Sequence, residues 1–441
     1  MRALLCLVLS VALLCSLVFA DHHGDHGKKG SSKGGHKKKD DHEPDHSKKG
    51  NHHHHHNHGH DHKDHHHSNE TWACHKLAAG NLQFAFEIFR QVTADHPSEN
   101  VVISPISIST ALALLSLGAR GNTHDQIIEG IGFNISEISE KEIHDGFHHL
   151  LDVLNNDESG LHLDTGNGLF ISKAWKLLDK FLDDAKNLYA SEGFTVDFQD
   201  NEGAKKQINS YIEKKTNGKL TDVLSSVDKE AALLLVNFIY FRGKWEVPFE
   251  EEYTSEGDFH VSDKVTVKVP FMSRTGRYQV AFLGDATVVN LPYKGNASAL
   301  FILPKDGKIK EVEGHFQNTV KKYKKSNRKM VVGLQIPRFS ISGSLELKDV
   351  LAKLGIVDLF SDSADLTGVT GAPNLKVSKA IHKAKISIDE KGTEAAATTV
   401  VEAIPMSLPP TITFNHPFIL SVYDHASKTV LFFAKIANPE K

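Results

Sequence analysis

The apolar positions of the chain follow two rhythms. In LAAGNLQFAFEIFRQV (77–92), Leu82, Phe86 and Phe89 recur at helical spacing and predict one buried helix face. NVVISP (100–105) reads as a short strand. Ser104 then stands as a helix cap with Pro105 in the first turn, opening PISISTALALLSLGA, which stops near Gly118. Helical patterns continue over 143–154, 178–189 and 204–216. AALLLVNFIYFRG (231–243) is an unbroken apolar run, the mark of a strand covered on both faces. KVTVKVPFM alternates Val265, Val267 and Val269 as a half-exposed strand does, and ALFILP (299–304) and VLFFAKIANP (430–439) read as core strands. Helices lead and strands follow, which predicts an α+β fold with large, mainly antiparallel sheets.

The first seventy residues break this pattern. Residues 1–20, MRALLCLVLSVALLCSLVFA, have Arg2 at the start, an apolar stretch from Leu4 to Leu17, and small Val18 and Ala20. They predict a secretory signal peptide cleaved after Ala20, and hence a secreted, extracellular protein. A membrane anchor fits less well, because the run is short and a very polar segment follows. Residues 21–71 are rich in Asp, His, Lys and Gly, cannot bury apolar surface, and are expected to be disordered. Ordinary globular sequence fills 72–441.

Composition narrows the classes further. The formal net charge of −4 gives no case for nucleic-acid binding, and no later run is apolar enough to enter a membrane. Cys6 and Cys15 leave with the signal, so Cys74 remains alone, expected as a free or capped thiol. Sequons at Asn69, Asn134 and Asn296 predict glycosylation. No GxSxG, HExxH or Walker loop is present, so motifs give no sign of an enzyme. His144, His148 and His149 share one helical pattern and read as surface histidines.

One segment fits none of these classes: EKGTEAAATTVVEAIPMSLPP (390–410). Read with the strand period, Thr393, Ala395, Ala397, Thr399, Val401 and Ala403 share a small, uncharged face, while Glu394 and Glu402 fall on the other. Gly392 supplies a hinge, and Pro405, Pro409 and Pro410 hold the far end extended. The residues alone fit either an insertable loop or a plain edge strand, or a helix stopping at Thr398.

Neighbouring blocks separate these readings. NVVISPISISTALALLSLGARGNT (100–123), AALLLVNFIYFRGKWEVPF (231–249), VSKAIHKAKISIDEKGTEAAA (377–397), FNHPFIL (414–420) and FFAKIANP resemble, in order, the blocks of the serpin family. The resemblance runs from about Leu77 to Lys441. It implies about nine helices around three β-sheets, with an exposed reactive-centre loop over about 390–410. It implies no catalytic residues and no required cofactor. It implies instead a scissile bond, Met406–Ser407, thirty-five residues before Lys441 by subtraction. By position, Glu390, Gly392, Thr393, Glu394, Ala395, Ala396 and Ala397 form the hinge. Ser104, Ser107, Asn237 and His382 match a cluster beneath the main sheet that parts on insertion; Trp245, Arg338 and Glu390 match the top of the opening. The partners implied are serine proteases of the chymotrypsin or elastase type, met by a monomer. A non-inhibitory member carrying a hormone or other small ligand is the alternative. A heparin-activated inhibitor is disfavoured, because KEIHDGFHHLLDVL (141–154) has no basic stripe.

The histidine-rich tail lies outside that resemblance. It holds seventeen of the 29 histidines. Cleavage after Ala20 would expose Asp21-His22-His23, a square-planar donor set for Cu(II) or Ni(II). His52, His53, His54, His55 and His56 would hold Zn(II) or copper more loosely, and the imidazoles would gain charge below about pH 6.5.

Overall fold

The structure, a computed structural model, describes residues 72–155, 161–392 and 408–441. In chain order its helices are α1 (Ala78–Asp95), α2 (Pro105–Ser116), α3 (Gly121–Gly130), α4 (Glu140–Leu154), α5 (Asp179–Tyr189), α6 (Asn201–Lys215), α7 (Ile309–Gly314), α8 (Phe316–Ser326), α9 (Leu347–Lys353) and α10 (Thr367–Thr370). Its strands are β1 (Val101–Ile103), β2 (Leu161–Ser172), β3 (Glu192–Val196), β4 (Leu233–Gly243), β5 (Ser255–Ser262), β6 (Val265–Phe282), β7 (Ala286–Pro292), β8 (Ala297–Pro304), β9 (Arg328–Pro337), β10 (Phe339–Glu346), β11 (Val377–Ile388), β12 (Thr411–Thr413), β13 (Phe418–Asp424) and β14 (Thr429–Ile436).

Five strands form one sheet in the order β10-β11-β4-β2-β3. Nine form a second hydrogen-bonded body, β1-β14-β13-β8-β7-β6-β9-β12, with β5 also on β6. The 18-residue β6 explains why two hydrogen-bonded bodies stand where three sheets were expected. Its first half pairs with β5 and its last residues with β7, while β9 follows it from Phe271 to Val280. One long strand thus threads two layers and joins their ladders. Most pairings are antiparallel, as expected; β4–β11, β2–β3 and β9–β12 are parallel.

The apolar rhythms give these elements directly. All twelve residues of α2 are buried, which suits a helix apolar on every side that fills the space between the two sheets. The Ser104 side chain accepts from the Ser107 N–H at 3.4 Å and caps it, with Pro105 at the first position. Helix α4 starts with a reciprocal capping box between Ser139 and Glu142 and turns Ile143, Phe147, Leu150 and Leu154 inward. His144 goes inward with them: it is 7 % exposed, and its Nδ1 lies 2.5 Å from the Tyr189 hydroxyl. Its expected surface position is therefore corrected, because it sits one residue from Ile143 and three from Phe147 on the buried arc. His148 alone of the three is fully on the surface. Cys74 is a free thiol, buried under the start of α1; burial pushes its pKa up to about 11.

Candidate functional site

The centre of the five-stranded sheet is a seam between two parallel strands, β4 and β11. Asn237 pairs with His382 across it, and Asn167 of β2 stands opposite Asn237 on the other side. From Ala380 to Ile388 every second residue of β11 faces inward, and His382 is the polar member of that apolar set. The period of two therefore carries an imidazole into the core, where it needs hydrogen bonds.

One of those bonds comes from the cap of α2 and the other from Asn237 of β4. The Ser104 backbone N–H donates to His382 Nε2 at 3.0 Å. Since that nitrogen accepts, the ring proton sits on Nδ1, which donates to Asn237 Oδ1 at 2.5 Å. Asn237 Nδ2 lies 2.7 Å from both Asn167 Oδ1 and Ser107 Oγ. Burial drives the His382 pKa down to about 3, so the ring is neutral and the tautomer is fixed. Ser104, Ser107, Asn237 and His382 thus lie in one hydrogen-bonded group. Asn167 completes the group; apart from its place in TGNG, no local pattern marks it.

The top of the seam is closed by a turn. Trp245 Nε1 donates to the Asp389 carbonyl at 2.9 Å, and the Phe249 N–H donates to that of Glu390 at 2.7 Å. Gly392 has a φ of 89°, and a Cβ there would collide with the Gly243 carbonyl oxygen. The position therefore requires glycine for its backbone and for close approach to β4. Trp245, 2 % exposed, stacks on Tyr293 with ring centroids 4.3 Å apart. The buried Glu390 carboxylate accepts from Thr254 Oγ1 at 2.7 Å and from Arg338 at 3.3 Å. Neighbouring Asp389 has its pKa raised by burial. Trp245, Arg338, Glu390 and Gly392 thus meet at one point, with Thr254 and Tyr293 as partners that pattern reading missed.

Comparison with known proteins now decides the family. The description "Serpin (serine protease inhibitor)" matches residues 79–439. The chain is 49 % identical over 370 residues to alpha-1-antiproteinase of Callosciurus caniceps, covering 83 % of this chain and 90 % of that one. It is 48 % identical over 380 residues to alpha-1-antiproteinase of Bos taurus, covering 84 % and 90 %. Among solved structures it is similar to human thyroxine-binding globulin complexed with thyroxine, with a TM-score of 0.79, 38 % identity, and coverage of 83 % and 99 %. This chain is a serpin.

In this serpin the loop is fastened at two different sheets. Its near end leaves the Asp389–Gly392 turn above β4 and β11. Its far end, Leu408 to Pro410, leads into β12 on β9, where the Gly333 N–H donates to the Pro410 carbonyl at 3.0 Å. The hinge residues Thr393, Glu394, Ala395, Ala396 and Ala397 and the Met406–Ser407 bond lie outside the described residues, as do Asn69 and the tail histidines. Asn134 and Asn296 are exposed in turns, after α3 and before β8. No helix among the described residues is long and apolar enough to cross a membrane.

Proposed function

We propose that this serpin is a secreted suicide inhibitor of elastase-like or chymotrypsin-like serine proteases, cut at Met406–Ser407. The supporting observation is the direction of the strands. β4 and β11 run parallel, and the chain leaving β11 turns back at Gly392 against the end of β4. A segment continuing from Gly392 into the seam would run antiparallel to both neighbours. One parallel ladder would give way to two antiparallel ones, the better pairing per residue.

The mechanism follows from this geometry. Methionine is long, flexible and uncharged, which suits an apolar specificity pocket. The protease serine attacks the Met406 carbonyl carbon, the Met406–Ser407 peptide bond breaks, and Ser407 leaves with its amine on the β12 side. The acyl group stays on the segment anchored at Gly392. Thr393 to Met406 is fourteen residues, and at about 3.3 Å each the new strand carries the attached protease roughly 46 Å along the sheet. Ladder bonds of about 0.5–1.5 kcal/mol per residue and modest apolar burial give a gross gain on the order of 10–20 kcal/mol. The intact chain is then a kinetically trapped state.

The similarity to thyroxine-bound globulin favours a second reading, a small-ligand carrier. The small residues Thr393, Ala395 and Ala397 support the inhibitor instead, because each can enter a sheet interior. The tail is proposed to bind Cu(II) or Ni(II) at Asp21-His22-His23, and Zn(II) more weakly, as an addition to inhibition. The experiment mixes the protein with elastase and with chymotrypsin, followed by denaturing gels and sequencing of the released peptide. A denaturant-stable complex with a new end at Ser407 is expected. Complete cleavage with no complex would leave the carrier reading in its place.

A further inference from the structure

One strongly acidic stretch of the surface has no part in the loop mechanism. Between Lys244 and Lys264 the sequence has no Lys or Arg, and seven residues are Asp or Glu. The stretch leads from β4 into β5, and Phe249 and Phe259 anchor it in the core. Glu246, Glu250, Glu251, Glu252, Glu256 and Asp258 are exposed. Lys391 reaches Glu251 at 3.0 Å, and Lys268 reaches Asp258 at 2.7 Å. With these two contacts made, the carboxylates still outnumber the cations, and the strip is anionic.

At its centre stands Tyr253, the last residue of a short 3-10 turn, Glu251–Tyr253. The chain has eight tyrosines. Tyr253 is the exposed one, at 59 %, and the others are buried or half-buried. Tyrosine ordinarily turns its ring inward and leaves the hydroxyl wet. Here most of the ring is wet as well. Within five residues on either side lie five carboxylates and no cation. The turn is closed by the Tyr253 N–H on the Glu250 carbonyl at 3.0 Å and the Thr254 N–H on that of Glu251 at 3.1 Å. So short a unit opens locally at little cost, which lets the segment extend into a cleft. It also stands at the root of the loop, because Thr254 Oγ1 donates to Glu390 at 2.7 Å.

We infer that Tyr253 is sulfated on its phenolic oxygen by a tyrosine sulfotransferase of the secretory pathway. The inference rests on the proposal that the chain is secreted, since only then does it meet such an enzyme. The sulfuryl donor is an adenylyl sulfate nucleotide, itself an anion, so the transferase site has to be cationic. A cationic site draws in acidic segments, and Tyr253 lies in the middle of one. The phenolic oxygen attacks the donor sulfur. The bond from that sulfur to the oxygen bridging it to phosphate breaks, and the nucleotide leaves as its phosphate. A hydrogen bond to the Glu252 carboxylate holds the phenol pKa above its ordinary value, so the attacking group is the neutral phenol and its proton passes to a base of the transferase. Nothing is oxidised or reduced. The ester adds one negative charge, where a phosphate would add about 1.5–2 beside the same carboxylates.

The test expresses the full chain in cultured mammalian cells fed radiolabelled sulfate. Secreted protein is stripped of N-linked glycans, which carry sulfate of their own, and alkaline hydrolysis then releases tyrosine sulfate. The parent is expected to give tyrosine sulfate and Tyr253→Phe to give none. In a second arm, full chain made in bacteria is incubated with a tyrosine sulfotransferase and a labelled adenylyl sulfate donor. A variant combining Glu250→Gln, Glu252→Gln and Glu256→Gln, which spares the Glu251–Lys391 pair, should be labelled at least about tenfold more slowly than the parent. Tyrosine sulfate persisting in Tyr253→Phe would overturn the site. A secreted parent without tyrosine sulfate would overturn the modification, and phosphate on Tyr253 in its place would overturn the choice of donor. A parent retained inside the cells would instead overturn the secreted reading. The bacterial chain then decides the chemistry separately, and absence of transfer to it would overturn the inference.

Discussion

Two strand pairs run through the middle of this molecule, and they are built differently. β13 and β14 meet antiparallel, and every residue of β14 is buried. Phe433 packs there against Phe89 and Phe316, with ring centroids 4.8 and 5.1 Å away. β4 and β11 meet parallel, over a cluster of Asn, His and Ser side chains that satisfy one another. Parting the first pair exposes apolar surface and separates packed rings. Parting the second would uncover the apolar residues of β4 and β11 as well, but it also frees the hydrogen-bonding groups of the cluster, and an incoming backbone would satisfy strand edges on both sides. On the proposed function, the contrast separates a permanent seam from one that opens.

The comparison can be broken most decisively at the hinge. Thr393→Arg would require a charge in the sheet interior, so covalent complex should disappear on denaturing gels while cleavage continues. Undiminished complex would mean that the segment after Gly392 does not enter the seam. Next in size is Phe433→Ala in the permanent pair. It should cost about 3–5 kcal/mol in denaturant unfolding and leave complex formation per folded molecule intact. Asn237→Ala in the opening pair leaves the His382 Nδ1–H and Asn167 Oδ1 without their partner, at a cost of about 2–4 kcal/mol. Unlike Phe433→Ala, it should also speed the loss of inhibitory activity on mild warming, because the uncut loop inserts on its own. If both variants lost activity at the same rate, the two pairs would not differ as described.

The smallest effect is a pH slope. His382 has a folded pKa of about 3 against an ordinary 6.5. Between those values the unfolded chain takes up a proton that the folded chain refuses. Its contribution is therefore fully present above about pH 6.5 and is lost as pH falls toward 3, at about 1.4 kcal/mol per pH unit. His382→Gln should remove that part of the slope in denaturant titrations across this window. An unchanged slope would mean that the ring is charged in the folded protein.

Much of this architecture was legible in the sequence. α1, α2 and β4 stood out because their apolar spacing is long and regular, and the cap at Ser104 because serine followed by proline has a local mechanism. Gly392 was legible as a hinge, but its close approach to the Gly243 carbonyl depends on a strand about 150 residues earlier in the chain. Asn167 and Thr254 were invisible for the same reason, since only the fold brings them to Asn237 and Glu390. His144 was misplaced because a polar residue at the border of a helix face can fall on either side, and the Tyr189 hydroxyl settles it.

The central claim is that the cut loop becomes a strand between β4 and β11, and thermal unfolding tests it most directly. The intact protein is compared with protein cleaved once within 393–407 by a protease that does not remain attached. A gain on the order of 10 kcal/mol should raise the midpoint by on the order of 20 °C. An unchanged or lowered midpoint after cleavage would contradict the account, because the segment would then have found no place in the sheet.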